Sequence, residues 1–298
     1  VFERMKTSNK VLYNQYIARW GLYFMLPSIA LLFLFQLFPI VYSLFISFHE
    51  YDILSPPKFI GLKNFLSLKN DPLFISSVSI TITYVFYTIV PVIGLSFFIA
   101  WSLTKIRNGR GVWRSLIFIP TILPLVSVAL VWQLLFNFRG PINEGLAFFE
   151  LEPISWLANS NYAPWSMIIM SWWHATSYYT IIFLAGFLSI PRSYYEAARV
   201  EGANGFEVLR YITLPLMKPT ITLVIVLSSI NGLKTFAFQQ IITDGGPADS
   251  TLILTLLIFK TSFSYLKMGL ASTYSIILFS GILIISLIQI WLLKDNNA

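Results

Sequence analysis

Long stretches without a formal charge limit what this chain can fold into more than any other feature of its sequence. A helix needs about 20 consecutive apolar residues to cross the hydrocarbon core of a bilayer. Five stretches reach that length with no Asp, Glu, Lys or Arg, and a sixth contains Lys234 as its single charge. The sequence therefore predicts an all-α membrane protein with six transmembrane helices, at residues 21–48, 73–104, 115–138, 165–190, 220–243 and 268–293.

The composition agrees with a single transmembrane domain over residues 1–298. Charged residues make up 11% of the chain, whereas soluble domains contain about 25%. The chain has no cysteine, and its two histidines, His49 and His174, lie in different segments, so neither a disulfide nor a Cys- or His-rich metal site is expected. The first apolar stretch is too long for a secretory signal and no small-residue cleavage site follows it, so we predict a retained helix.

The basic residues follow the pattern of orientation signals. The net charge is +7, but most lysines and arginines occur in alternate segments between the predicted helices. A nucleic-acid-binding protein instead concentrates them on one exposed face, so nucleic acid is not an expected partner. Because positively charged segments remain in the cytoplasm, both termini, the second loop and the fourth loop are predicted to be cytoplasmic. The basic residues of these segments are Arg4, Lys6, Lys10, Arg19, Lys105, Arg107, Arg110, Arg114, Arg192, Arg199, Arg210, Lys218 and Lys294.

The fourth loop, residues 191–219, is a charged segment between two apolar stretches. Ser193–Glu196 and Asn204–Glu207 each match the capping box, in which two side chains bond the free amides at a helix start. Gly202 lies between them and suits the left-handed conformation that ends many helices. Two prolines near the end of the loop are expected to end the second helix. The sequence thus predicts two short helices joined by a glycine turn.

Physical reasoning leaves two interpretations of this loop open. It can rest on the lipid headgroups as an amphipathic surface element, although its carboxylates are repelled by an anionic cytoplasmic leaflet. Alternatively it docks in a groove of a cytoplasmic protein. In that case the small residues Ala197, Ala198 and Gly202 allow close approach, and the directional pairing comes from Glu196, Arg199 and Glu201.

The spacing of Glu196-Ala197-Ala198, Gly202 and Ile212-Thr-Leu214-Pro215 resembles the EAA loop of permease subunits of bacterial binding-protein-dependent ABC importers. Residues 59–65 (FIGLKNF) and 244–251 (DGGPADST) are similar to segments of the sugar-importer branch, the maltose and glycerol-phosphate type. The resemblance implies a cytoplasmic coupling helix between helices 4 and 5, received by a cleft in an ATPase subunit. The residues that match this role are Glu196, Ala197, Ala198, Arg199, Glu201 and Gly202.

The resemblance also implies the rest of the assembly. The chain contains no G-x-x-x-x-G-K-[ST] phosphate-binding loop, so ATP and Mg²⁺ are expected on two copies of a partner ATPase subunit and no cofactor on this chain. A second, related permease subunit and an extracytoplasmic solute-binding protein would complete the importer in the bacterial cytoplasmic (inner) membrane. This chain would be a non-catalytic subunit that translocates a sugar or oligosaccharide by alternating access.

Lys234 marks one candidate segment of the substrate path. A lysine at the centre of a spanning helix costs on the order of 2.5–3.5 kcal/mol, so it usually faces water or a partner. Asn231 shares its helix face and Gln239 follows it. This arrangement favours a polar lining for a sugar, with Lys234 selecting an acidic or phosphorylated ligand. The alternative is a snorkelling or structurally paired lysine.

An aromatic segment of the fourth predicted helix supplies a second set of candidates, Trp172, Trp173, His174 and Tyr178. Aromatic faces stack on sugar rings, and the polar atoms of these side chains can bind hydroxyl groups. Trp and Tyr also form the interfacial belts of membrane proteins, and His174 alone suits a hydrogen bond between helices. Ligand contact and structural roles both remain open for these residues.

Two other functional classes are compatible with a polytopic membrane chain. An ion-coupled secondary transporter usually carries Asp or Glu within its spans, and the predicted spans contain none. A membrane-embedded glycan-processing enzyme needs convergent carboxylates or a histidine cluster, and the nearest candidates, Glu144, Glu150 and Glu152, have no obvious partner residues. The importer subunit is therefore the leading prediction.

Overall fold

The computed structural model describes residues 20–106 and 108–293, most of which are helical. Two short strands, β1 (His49–Glu50) and β2 (Lys58–Phe59), pair antiparallel after the first helix. The helices in chain order are α1 Trp20–Ile46, α2 Lys63–Ser67, α3 Pro72–Lys105, α4 Arg110–Ile122, α5 Leu125–Leu135, α6 Pro141–Phe148, α7 Ala163–Ser189, α8 Arg192–Val200, α9 Gly205–Val208, α10 Leu214–Leu233, α11 Ala237–Ile242, α12 Leu254–Phe259 and α13 Met268–Leu293. Both predicted cytoplasmic termini, and the basic residues Arg4, Lys6, Lys10, Arg19, Arg107 and Lys294, lie outside the described residues.

By length and composition, the described residues contain four or five spans rather than the six that the sequence predicts. Four segments qualify singly, namely α1, α3, Gly205–Ile242 and α13, and α4 with α5 forms a fifth if the pair is one span. The remaining predicted span, 165–190, is α7. It has 27 residues, but its Trp, Tyr, Ser and Thr side chains make it less apolar than the others.

The third predicted span, 115–138, is not one straight helix. The axes of α4 and α5 meet at 95°, because the chain between them is extended, with ψ of 140° at Leu123 and 131° at Pro124. A proline disfavours the helical conformation of the residue before it, so Pro124 ends α4 at Ile122. Pro120, in contrast, lies inside α4.

The fifth predicted span, 220–243, starts earlier and is interrupted. The helical segment begins with α9 at Gly205 and α10 ends at Leu233, where Lys234 is the C-cap with φ −95° and ψ 1°. The helix resumes at Ala237. The expectation that Lys234 lies within a continuous helix is therefore wrong. A break exposes unpaired backbone groups, which membrane proteins tolerate beside a cavity or within protein.

The packing centre of the bundle is the contact between α3 and α7. The buried face of α3 carries residues spaced three or four apart, the helical period, and several of them are small or hydroxylated. Ser96 Oγ donates to the carbonyl of Val92 at 2.6 Å and lies 3.2 Å from the carbonyl of Thr176 on α7. Small residues and hydroxyl groups of this kind let spanning helices approach closely.

A glycine sets the approach of α10 to α7. A Cβ added at Gly186 would lie 2.5 Å from Oγ1 of Thr220, which is closer than any unstrained contact. The side chain of Thr220 on α10 therefore packs directly against the backbone of α7 at this point. α7 thus packs against α3, α4 and α10. Its side chains Ser171, Thr176, Ser177 and Thr180 are buried in the bundle, whereas Trp173 and Tyr178 are each 41% exposed.

Candidate functional site

The loop between α7 and α10 begins differently from the prediction. α8 starts at Arg192 with Pro191 as its N-cap, and no side chain caps this end. Ser193 therefore stands within the first turn instead of before it, and the predicted capping box with Glu196 is wrong. The extended conformation of Pro191, with ψ 136°, already separates α8 from α7 and starts the helix two residues earlier.

The glycine turn is confirmed. Gly202 has φ +80°, the left-handed region that costs little only for glycine. Its amide donates to the carbonyl of Arg199 at 3.1 Å, and the amide of Ala203 donates to Ala198 at 2.9 Å. This pair of bonds is the Schellman motif, which pairs the last carbonyls of α8 and gives the turn one defined shape.

The second capping box is also confirmed. Oδ1 of Asn204 accepts from the amides of Phe206 and Glu207, each at 3.0 Å, and Oε2 of Glu207 accepts from the amide of Asn204 at 2.7 Å. All three bonds join residues at most three apart in sequence. The start of α9 is therefore held by local interactions alone.

The prolines at the end of the loop, Pro215 and Pro219, do not end the second helix as predicted. α9 passes through the π-helical turn Leu209–Thr213 directly into α10. Pro215 then stands in the first turn of α10 and Pro219 lies inside it. The wider π turn changes the bonding register before Pro215, so the missing proline amide does not stop the helix. The second helix of the loop is the beginning of a long helix.

The loop presents a charged surface around small residues. Five of the six residues with a predicted coupling role are exposed, namely Glu196, Ala197, Arg199, Glu201 and Gly202. Ala198 is only 4% exposed and faces the bundle. Val200 and Phe206, on either side of the turn, are 90% and 67% exposed. The tip of the loop thus combines charges with two uncovered apolar side chains.

A cavity of about 480 Å³, here called the central cavity, lies between α3, α7 and the break after α10. Four of the predicted path residues line it: His174, Tyr178, Asn231 and Lys234. Asn231 Nδ2 donates to the hydroxyl of Tyr179 at 3.2 Å. Of the described residues that line this cavity, Lys234 carries the one formal charge.

The other three predicted path residues lie elsewhere. Trp172 donates from Nε1 to the carbonyl of Tyr87 at 2.8 Å. Trp173 packs edge-on against Trp132, with ring centroids 5.8 Å apart. Gln239 is buried at the wall of a second, smaller cavity.

The sequence reasoning missed several residues of the central cavity. Tyr84 and Thr88 come from α3, and the hydroxyl groups of Tyr84 and Ser171 lie 2.7 Å apart across the α3–α7 contact. A detectable signal was present, because hydroxylated residues recur at the helical period between Ser77 and Ser96 within an apolar stretch.

Residues 244–251 form a compact loop at the end of the bundle opposite α8. Asp244, Ala248 and Asp249 all have positive φ, a conformation that costs energy in residues other than glycine and is concentrated at functional sites. Lys260 Nζ lies 3.0 Å from a carboxylate oxygen of Asp244 and donates to its carbonyl at 2.6 Å. These contacts hold the loop against Lys260, the residue that directly follows α12.

Hydrogen bonds to an aspartate side chain also fix the turn of the β1–β2 hairpin. The amide and hydroxyl of Ser55 donate to Oδ1 of Asp52 at 2.8 and 2.6 Å. The hydrogen bond from the Ser55 side chain lowers the pKa of Asp52 below its usual value, so the turn keeps its negative charge.

No group of three or more His, Cys, Asp or Glu residues that could hold a metal occurs in the described part of the chain.

Comparison with known proteins identifies the class. Residues 92–295 match the family described as binding-protein-dependent transport system inner membrane component. The probable ABC transporter permease protein YesP of Bacillus subtilis (strain 168) is 36% identical over 93% of this chain and 90% of its own length. The trehalose/maltose transport system permease protein MalF of Thermococcus litoralis is 32% identical over 96% of each chain.

A solved structure shares the fold. It is that of a bacterial ABC transporter involved in the import of the acidic polysaccharide alginate, with a TM-score of 0.84 and 21% identity over 96% of this chain and 99% of that chain. This chain therefore belongs to the family of inner membrane components of binding-protein-dependent transport systems. It is a multi-pass permease subunit of an ABC transporter, as the EAA loop predicted, and the secondary-transporter and enzyme alternatives are excluded.

Proposed function

We propose that this chain translocates a sugar or oligosaccharide that an extracytoplasmic solute-binding protein delivers. The names of relatives support a carbohydrate, since one is a trehalose/maltose permease and the solved transporter with the same fold imports an acidic polysaccharide. The polar and aromatic lining of the central cavity agrees with such a ligand. We propose His174, Tyr178, Asn231 and Lys234 as the contacts in this cavity, whereas Trp172, Trp173 and Gln239 do not line it.

We further propose a single domain over residues 1–298 with six spans in the bacterial cytoplasmic membrane, and α7 is the fourth of them in chain order. With 27 residues, α7 is about 40 Å long at 1.5 Å per residue, which is enough to cross a bilayer. Most of its serine and threonine side chains need no contact with lipid, because they are buried among neighbouring helices. Both termini and residues 191–219 then lie in the cytoplasm, in agreement with the distribution of basic residues.

One observation carries the mechanism, namely the uninterrupted helical path from the loop to the cavity. The capped turn at Gly202 and Asn204 leads through α9 and the π turn into α10. The far end of α10 contributes Asn231 and Lys234 to the central cavity. A displacement of the loop is therefore transmitted along one helix to the cavity wall.

The force on this loop comes from partner subunits in our proposal. Two copies of an ATPase subunit bind ATP and Mg²⁺, and a cleft in one of them receives α8 and the following turn through the exposed residues Glu196, Ala197, Arg199, Glu201 and Gly202. Ala198, the sixth residue predicted for this role, is buried and holds α8 against the bundle. A second, related permease completes the pathway. ATP binding closes the ATPase pair and opens the cavity outward; after the binding protein releases its ligand, hydrolysis reopens the cavity inward. This chain performs no catalysis itself.

A reconstituted importer tests the proposal. The complex of both permeases, ATPase and binding protein is placed in proteoliposomes, and ATP-dependent uptake is measured with a panel of maltose, trehalose and an alginate oligosaccharide. We expect Glu196→Lys combined with Gly202→Val to reduce co-purified ATPase and uptake by at least tenfold, because the reversed charge and the strained turn disrupt the docking surface. Glu152→Lys, an exposed charge reversal at the opposite end of the bundle, is the control. Normal ATPase retention and uptake in the loop variant would refute the docking role.

A further inference from the structure

The smaller cavity that Gln239 borders has about 130 Å³ of space, where a single water needs about 10–15 Å³ on this scale. It is here called the outer pocket. Met167 from the first turns of α7, Gln239 from α11, and Ser250 and Ile253 from the chain after α11 line it. Since α8 follows the other end of α7, the outer pocket lies at the end of the bundle opposite the coupling loop.

Three buried polar atoms on residues that line this pocket have no hydrogen-bond partner among the described residues. Gln239 is 1% exposed, and neither its amide nitrogen nor its carbonyl oxygen is hydrogen-bonded to another described residue. The hydroxyl oxygen of Ser250 is buried and unpaired in the same way. Each unpaired buried polar group costs about 1–3 kcal/mol. Three such atoms around one cavity indicate that a ligand with complementary donors and acceptors completes the site.

The chemistry of the walls defines the ligand class. The residues that line the outer pocket carry no formal charge, and the amide and hydroxyl groups both donate and accept. Met167, Ile168 and Ile253 supply apolar surface that matches the C–H face of a sugar ring. An ionised group would be buried there without an opposite charge, which is strongly unfavourable.

We infer that the outer pocket is a second sugar subsite, which takes a neutral, hydroxyl-bearing unit before it reaches the central cavity. This inference rests on the proposed function. Tyr84 lines both cavities and forms the wall between them, where its hydroxyl contacts Ser171. The two subsites therefore differ in selectivity. The outer one is neutral, whereas the central one contains Lys234.

Uptake kinetics test the role of Gln239. In the reconstituted importer, KM is measured for the panel sugar that the wild-type complex transports fastest. We expect Gln239→Leu to raise KM at least about fivefold, the factor that corresponds to one lost hydrogen bond of about 1 kcal/mol. Its thermal unfolding temperature should equal or exceed that of the wild type, because an unpaired buried amide is removed. Gln240→Leu, the neighbouring glutamine of α11 that lines neither cavity, should leave KM unchanged.

Chemical labelling provides an independent readout. The chain has no cysteine, so Ser250→Cys introduces its single thiol, and the rate of modification by methyl methanethiosulfonate is measured in the complete importer. The transported sugar should slow this reaction severalfold. If KM of Gln239→Leu and the labelling rate both stay unchanged while wild-type uptake is normal, the pocket holds only water and the inference is wrong. If the wild-type complex takes up none of the panel sugars, the proposed function fails first and the outer subsite with it.

Discussion

Asn143 illustrates how much of this structure depends on single polar side chains. Its Nδ2 donates to the carbonyls of Phe138 and Ile154, each at 2.9 Å, and its Oδ1 accepts from the Ile154 amide and from Trp156 Nε1, each at 3.0 Å. Because the side chain is 4% exposed, water cannot replace these bonds easily. One residue therefore closes the connection between α5 and α7.

Replacing this side chain should loosen the connection without affecting the spans. We expect Asn143→Ala to destabilise the segment by about 2–4 kcal/mol, since several buried backbone groups lose their partner. Limited proteolysis within residues 137–156 should become at least tenfold faster in the purified complex. Asn161→Ala, at an exposed position of the following turn, is the matched control. Equal cleavage rates in both variants would contradict the importance of Asn143.

At the scale of elements, interruptions of helices shape the central cavity. Pro124 separates α4 from α5, and the break after Leu233 separates α10 from α11. Leu125, the first residue of α5, and the residues around the second break all line the central cavity. Irregular backbone thus occurs where it borders a cavity, as expected for a chain surrounded by lipid.

The bend between α4 and α5 should depend on Pro124. In Pro124→Ala, Leu123 is no longer kept out of the helical conformation, and the two helices can join into a straighter one. Spin labels at Val112 and Leu134, introduced through cysteines into this cysteine-free chain, should therefore move apart, and uptake should fall. Pro120→Ala, inside α4, should leave the distance unchanged. A wild-type distance distribution in Pro124→Ala would show that tertiary contacts alone set the bend.

At the scale of the whole molecule, the continuous path from loop to cavity has a mechanical consequence. α8 ends in the hydrogen-bonded turn at Gly202, α9 begins at the Asn204 capping box, and α10 extends from α9 across the bundle. The proposed ATPase docking surface and the central cavity lie at the two ends of this path. If the helical connection between the loop and the cavity becomes more flexible, ATP hydrolysis should therefore be uncoupled from transport.

Two glycines in the π turn test this consequence. In Tyr211→Gly combined with Ile212→Gly, each glycine weakens the helix by about 1 kcal/mol, while the docking surface at Glu196–Gly202 is unchanged. We expect normal ATPase retention and basal hydrolysis, but at least fivefold less sugar imported per ATP. Phe148→Gly with Phe149→Gly, two exposed positions at the end of α6, controls for general softening. An unaltered transport ratio would contradict rigid transmission through α10.

Features that depend on neighbours in sequence were predictable. The apolar stretches appear as α1, α3 and α13, and the turn at Gly202 and the box at Asn204–Glu207 have the expected geometry. Two of the failures were also local. They arose where a proline permitted two outcomes, as at Pro191, where a helix starts, and at Pro215, where a π turn lets the helix continue.

By itself, the sequence determined that the chain is a membrane protein and where the turn at Gly202 and the start of α9 lie, because hydropathy and capping act over a few residues. Its resemblance to the EAA loop indicated the importer family. Only the tertiary structure decided which polar residues share a cavity. His174 and Asn231 line the central cavity, whereas Trp172 bonds to α3 and Gln239 lines the outer pocket. Tyr84 also lines the central cavity, from a helix where no site was predicted. Which residues line one cavity depends on the crossing angles, rotations and breaks of helices that are distant in sequence, and no short stretch of sequence contains that information.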